Sequence, residues 1–196
     1  MTRPLVLGLT GSVGMGKSSV ARMFEALGVP VFDADAVVHR LQGPGGGLVA
    51  SIERAFPGVA GPDGVDRKRL GAAVFGDPAA LARLEAIVHP AVRAERRAFL
   101  REHAGAKLVV FDIPLLFEKG GAQDVDEILV VSAPPEVQRA RVLARPGMTA
   151  ERFERILALQ MPDAEKRERA DHVIDTGTAL SETRAEVGRL VEKLAT

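Results

Sequence analysis

Eight consecutive residues, Gly11 to Ser18 (GSVGMGKS), have the types and spacing to hold a polyphosphate. Gly11 and Gly16 enclose four free positions, and Lys17 and Ser18 follow at once, which is the phosphate-binding loop pattern. Glycines let the backbone approach phosphate oxygens, so converging N–H groups and the positive end of a following helix can attract the anion. Lys17 would reach the β- and γ-phosphates, and the Ser18 hydroxyl would ligate a divalent ion. The bland alternative is a glycine-rich turn, but in this composition the full pattern arises by chance in under about one chain in a hundred. Its surroundings agree: apolar Pro4 to Thr10 precedes it as a strand, and Val20, Met23, Phe24 and Leu27 recur at helical spacing after it.

Other reactive types stand at points where an element ends. Asp33 and Asp35 close the short apolar run Val29 to Phe32. One could polarise an acceptor hydroxyl while the other organises Mg²⁺ or water, or one could simply cap the next helix. Leu108 to Phe111 is the most apolar strand pattern and ends in Asp112, the form of the carboxylate that reaches Mg²⁺ in nucleotide-binding proteins. His89 sits before Pro90, where a helix kink or a new helix start is expected, so its imidazole is either structural or faces a site. Arg139, Arg141 and Arg145 lie on a helix ending at Pro146-Gly147, followed by a second helix from Thr149 to about Met161. This pair reads either as a solvated hairpin or as a lid that brings guanidinium charge onto a transferring phosphate. Asp66 to Arg69 reads as a solvated helix start or as a cationic rim for a phosphorylated acceptor.

These residues need a scaffold. The 196 residues allow one generous domain or a core with an inserted lobe. Five apolar strands, within 4–10, 29–32, 108–111, 127–132 and 172–175, alternate with helices. That order predicts an α/β fold: a three-layer α/β/α sandwich with a mostly parallel five-stranded sheet. The excursion over about 43–106 is too long for a simple crossover and reads as an inserted helical lobe that binds the acceptor. The core is then 1–42, 107–138 and 166–196, with the lid over about 139–165. A formal net charge of zero argues against a nucleic-acid or anionic-membrane partner. With no cysteine, disulfides and thiolate-bound metals are excluded. No apolar run is long enough to span a bilayer and none reads as a signal peptide, so a soluble cytoplasmic protein is expected, and a monomer is compatible with the sequence.

Taken together, the chain resembles the dephospho-coenzyme A kinases. The resemblance is carried by LTGSVGMGKSSVA at 9–21, FDAD at 32–35, DGVDRKRL at 63–70, VF at 74–75 and LEAIVHP at 84–90. IPLLFE at 113–118, the arginine-rich stretch at 139–145 with Gln160, and ADHVID at 170–175 complete it. It implies transfer of the ATP γ-phosphoryl group, with Mg²⁺, to the ribose 3′-hydroxyl of dephospho-CoA. By the same resemblance Asp35 is the catalytic carboxylate, with Lys17 and Arg141 as the catalytic cations. Ser12, Val13, Gly14, Met15, Gly16, Lys17, Ser18, Ser19 and the lid residue Arg145 hold ATP, and Ser18 and Asp112 serve the metal. Asp35, His39, His89, Leu115, Leu116, Phe117 and Glu118 fall at acceptor positions. The chain departs from the family twice: His39, followed by Arg40, stands where Arg is frequent, and Asp175-Thr176 replaces a frequent Asp-Asn. A regulatory GTPase would need a guanine-specifying Asn-Lys-x-Asp segment, which is absent. Another small-molecule or nucleoside monophosphate kinase on the same scaffold is the nearer alternative.

Overall fold

β1 (Leu5–Thr10) is buried from Val6 onward, as expected for a strand covered on both faces. It is the middle strand of a five-stranded sheet in the order β2-β5-β1-β6-β7, formed with β2 (Val31–Asp33), β5 (Leu108–Asp112), β6 (Glu127–Ser132) and β7 (His172–Asp175). The coordinates are a computed structural model that describes residues 3–195. β1 pairs in parallel with β5 and β6, and β6 in parallel with β7. The register sets Leu9 opposite Asp112 and Thr10 opposite Val130, so β5 delivers its carboxylate beside the carboxyl end of β1. In such sheets that end, flanked by strands leaving in opposite directions, is the ligand crevice.

Alternation along the strands makes the two covered faces. Leu7, Leu9, Val110, Leu129, Val131 and Ile174 share one apolar cluster with Val20 and Phe24 of α1 (Lys17–Ala26) and Val187 and Leu190 of α9 (Leu180–Leu194). Ile128 and Val130 point the other way, into a cluster with Leu116. α1 ends as its sequence suggests, with Gly28 at φ 78° accommodating the left-handed turn.

The chain divides into two units, residues 3–32 with 103–195, and Asp33–Glu102. The second has its own core of Leu48, Ile52, Phe56, Val59, Val65, Leu70 and Ala80. It contains α2 (Ala34–Gln42), α3 (Val49–Ala55), a small antiparallel hairpin of β3 (Ala60–Gly61) and β4 (Gly64–Val65), α4 (Arg67–Val74) and α5 (Pro78–Glu102). Aspartates open three of its helices. Asp33 accepts from Ala36 N–H at 2.9 Å, Asp66 from Lys68 N–H at 2.9 Å and Asp77 from Ala79 N–H at 2.9 Å. Each cap satisfies backbone donors that the first turn leaves open. The charged run after Asp66 is therefore a helix start.

The sequence predicts a kink or a new helix start at His89-Pro90; the structure shows no new start, since α5 is one helix of 25 residues with Pro90 inside it. Proline removes one helical hydrogen bond and costs about 3 kcal/mol. Leu84, Ile87 and Val88 before it and Ala91 after it pack on the same apolar cluster, which keeps the helix continuous. Arg40 of α2 pairs with Glu95 of α5 at 2.5 Å, and Arg83 of α5 lies 4.7 Å above the Phe56 ring.

In the first unit, α6 (Pro135–Leu143) and α7 (Ala150–Ala158) flank Pro146-Gly147, with Thr149 capping α7 by accepting from Arg152 N–H at 3.2 Å. α7 stops three residues before the expected Met161. A further short helix, α8 (Asp163–Glu168), follows Pro162.

Candidate active site

Gly14 and Gly16 take φ 82° and 84°, a conformation open to glycine at little cost, and the loop they form leads from β1 into the first turn of α1. Side chains from three other segments and one backbone N–H hold it. Val13 donates its N–H to Gln160 Oε1 at 3.1 Å and accepts from Gln138 Nε2 at 2.8 Å. Met15 is buried beneath the loop, its sulfur accepting from Ala133 N–H at 3.1 Å. Thr176, also buried, donates its hydroxyl to the Met15 carbonyl at 2.7 Å, with the Ser132 carbonyl at 3.2 Å. A loop fixed this way needs little rearrangement when an anion arrives.

Lys17 pairs directly with Asp112, the contact that the β1–β5 register prepares. Both side chains are largely buried, 17% and 6% exposed, so their attraction is weakly screened. The Ser18 hydroxyl adjoins this pair in sequence. Arg141 donates through Nη1 to Thr176 Oγ1 at 3.1 Å and through Nη2 to the Thr176 carbonyl at 2.6 Å. The same threonine therefore supports the phosphate loop and docks an arginine expected to face phosphate. Arg145 is exposed at the end of the α6 segment, with no side-chain partner among the described residues.

The 113–118 segment follows β5 directly. Thr10 Oγ1 donates to the Pro114 carbonyl at 3.2 Å, tying the start of the segment to the end of β1. Leu116 is fully buried in the cluster with Ile128 and Val130, whereas Leu115 and Phe117 are half-buried. Glu118 sits 2.9 Å from the Lys166 ammonium and accepts from Met161 N–H at 2.8 Å. Burial alone would raise the Glu118 pKa, but Lys166 and the Met161 N–H outweigh it and hold the carboxyl below its usual value near 4.5.

The remaining expected residues belong to the second unit. Asp33 is the helix cap, which leaves Asp35 exposed in the first turn of α2 with no partner among the described residues. His39 lies four residues on, on the same helix face, and is also exposed and unpartnered, whereas Arg40 is held by Glu95. His89 is exposed on α5. Three supporting residues escaped the sequence reading: Gln138, Thr176 and Lys166. Only Thr176 carried any signal, as a departure from the family pattern. Lys166 lies in the charged run DAEKRE, which reads as solvated surface.

A loop of this geometry at the carboxyl end of the central parallel strand, with its lysine against the aspartate of the neighbouring strand, places the chain among the P-loop nucleotide-binding proteins. Comparison with known proteins narrows the class. The family model for dephospho-CoA kinase matches residues 5–182, and the chain belongs to that family. It is 67% identical over 194 residues to a dephospho-CoA kinase of Novosphingobium aromaticivorans, covering 99% of this chain and 96% of that one. A dephospho-CoA kinase of Mesorhizobium japonicum is 57% identical, with 97% and 96% covered. Among solved structures, a Thermus thermophilus protein superposes with a TM-score of 0.87 at 36% identity, covering both chains completely. The dephospho-CoA kinase of Campylobacter jejuni, at 23% identity, TM-score 0.66 and 97% of each chain covered, shares the fold. No helix among the described residues is long and apolar enough to cross a membrane.

Proposed function

We infer that this chain transfers the γ-phosphoryl group of ATP to the ribose 3′-hydroxyl of dephospho-CoA, giving coenzyme A and ADP, the last step of coenzyme A synthesis in the cytoplasm. The observation that carries this reading is the family match over residues 5–182, which runs through the phosphate loop and the whole of the second unit. The match supports reading the phosphate loop as donor site and the second unit as part of the acceptor site of one enzyme.

Phosphoryl transfer needs positioning and charge stabilisation more than covalent help. Backbone N–H groups over Ser12 to Ser19 cradle the triphosphate, and Lys17 exchanges Asp112 for the β- and γ-phosphate oxygens. The donor set suits Mg²⁺: the Ser18 hydroxyl and the Asp112 carboxylate are hard oxygen ligands, and phosphate and water oxygens complete such a shell. When bound, Mg²⁺ neutralises charge on the β- and γ-oxygens. Arg141 moves from Thr176 toward the transferring group, and Arg145 closes with the lid over 139–165. On the acceptor side, Asp35 orients the 3′-hydroxyl and takes its proton as the oxygen attacks phosphorus and the bond to ADP breaks. His39, His89 and the half-buried Leu115 and Phe117 hold dephospho-CoA, with Leu116 anchoring their segment in the core.

A coupled ADP assay with a panel of acceptors tests the reading. Dephospho-CoA is expected to support turnover, and nucleoside monophosphates and shikimate are not. Faster turnover with any of those acceptors would reassign the substrate.

A further inference from the structure

Lys166 is the one lysine among the fully buried large side chains of the described residues, and the reaction outlined above makes no use of it. Its side chain is 0% exposed, and its ammonium meets Glu118 Oε1 at 2.9 Å. The same oxygen accepts the Met161 N–H, while Glu118 Oε2, Asp163 Oδ1 and Lys166 Nζ are buried without a hydrogen-bond partner among the described residues, so the Lys166–Glu118 contact is an ion pair rather than an aligned hydrogen bond. Burying a lysine and a glutamate together is a poor way to gain stability, because removing both ions from water offsets most of their attraction. A size-matched apolar pair would serve a core as well. What the charges add is a short-range tie between two segments: in a dry, weakly screened interior, parting the ammonium from the carboxylate leaves two uncompensated buried charges.

That arrangement joins two parts of the proposed site. Glu118 ends the 113–118 segment. Met161 and Lys166 belong to the stretch after α7, whose next neighbour Gln160 accepts the N–H of Val13 in the phosphate loop. Asp163 of the same stretch accepts from Ser132 Oγ at 2.6 Å, at the end of β6. Residues 160–166 are thus pinned to the phosphate loop, to β6 and to Glu118 within seven residues of chain. We propose that Glu118 and Lys166 form a buried charged post that keeps the 113–118 segment and the phosphate loop in register, so that both act as positioning residues for phosphoryl transfer. The proposal rests on the reading of the chain as a dephospho-CoA kinase. It makes Glu118 serve the acceptor by holding Leu115 and Phe117 in place.

The test is a cycle of Lys166→Met, Glu118→Gln and the double variant. For each, kcat, KM for dephospho-CoA and KM for Mg-ATP are measured per folded enzyme, beside the thermal midpoint and the affinity for a fluorescent ATP analogue. Lys166→Met is expected to lower kcat by about 10- to 100-fold, the scale of small misplacements of reacting groups, and to raise both KM values. Because one tie is broken either way, the double variant should be no slower than Lys166→Met alone. Kinetic constants within about twofold of wild type in all three, whatever the thermal midpoints, would reduce the pair to a structural contact and overturn the proposal. So would effects on kcat that simply add. If Lys166→Met does not fold, the double variant, which leaves no unpaired buried charge, decides the matter against Glu118→Gln. If wild type itself makes no coenzyme A, the functional reading fails separately. The tie to the phosphate loop then stands or falls on whether these variants weaken the ATP analogue by more than about threefold.

Discussion

Around the phosphate loop, Lys17 is paired with Asp112, Arg141 with Thr176, Val13 with two glutamines and Glu118 with Lys166. On the second unit, Asp35, His39 and His89 are exposed and have no partner among the described residues. A triphosphate presents the same oxygens at every turnover, so a site for it can be built in advance with each group held in place. Lys17 and Arg141 can trade their oxygen partners for phosphate oxygens, whereas a group that must take a proton from an acceptor hydroxyl gains nothing from a protein partner. In the proposed reaction, the held groups around the loop would serve the donor and the open groups of the second unit the acceptor.

That contrast can be broken at its open end first. Asp35→Asn keeps size and exposure but removes the base. It should lower kcat by about 10³-fold or more with ATP affinity unchanged, in a coupled ADP assay beside a nucleotide titration. Near wild-type turnover would remove Asp35 from the chemistry. On the preorganised side, Arg141→Ala should lower kcat by about 10² and change ATP affinity far less, because its charge acts on the transferring group. An unchanged kcat would leave Arg141 as a support for Thr176 alone.

The buried Glu118–Lys166 pair should also carry its own acid sensitivity. The folded pKa of Glu118 lies below its unfolded value, so its contribution is complete above the unfolded value and is lost as pH falls through the folded one. Thermal midpoints followed downward from about pH 5 should therefore fall, and Glu118→Gln should flatten that part of the profile. An identical slope in the variant would assign the effect to other carboxylates, such as Asp126. Burial raises the Asp126 pKa, but Arg3 and the Val6 N–H outweigh it and hold it low. The smallest effect belongs to a residue outside both sets. Asp77→Ala removes the α5 cap and should cost about 1 kcal/mol in denaturant unfolding with kcat unchanged. A matching loss of kcat would show that α5 carries more of the acceptor site than His89.

Much of this was legible from residue order. Parallel strands covered on both faces are continuous apolar runs, so LVVF before Asp112 and EILVVS announced β5 and β6 without ambiguity. The phosphate loop was equally plain because its chemistry is local. Features decided by partners distant in sequence were not. Whether Asp33 or Asp35 caps α2 depends on one hydrogen bond to Ala36, and the pattern of the two aspartates is symmetric until that bond is seen. Pro90 signals a break when read alone, but tertiary packing on either side of it prevails. The β3–β4 hairpin hides among turn residues because each strand is only two residues long. Lys166 was the least legible: nothing in DAEKRE distinguishes a buried lysine from a solvated one, since the glutamate that makes the difference lies 48 positions earlier.

The central claim is that this chain phosphorylates one hydroxyl of one acceptor. The direct measurement is to mix the folded protein with Mg-ATP and dephospho-CoA, then identify the product by mass and by phosphorus–proton NMR. The account predicts coenzyme A with the new phosphomonoester on the ribose 3′-oxygen and ADP in equal amount. No coenzyme A from folded protein, or a phosphate attached at any other position, would contradict it.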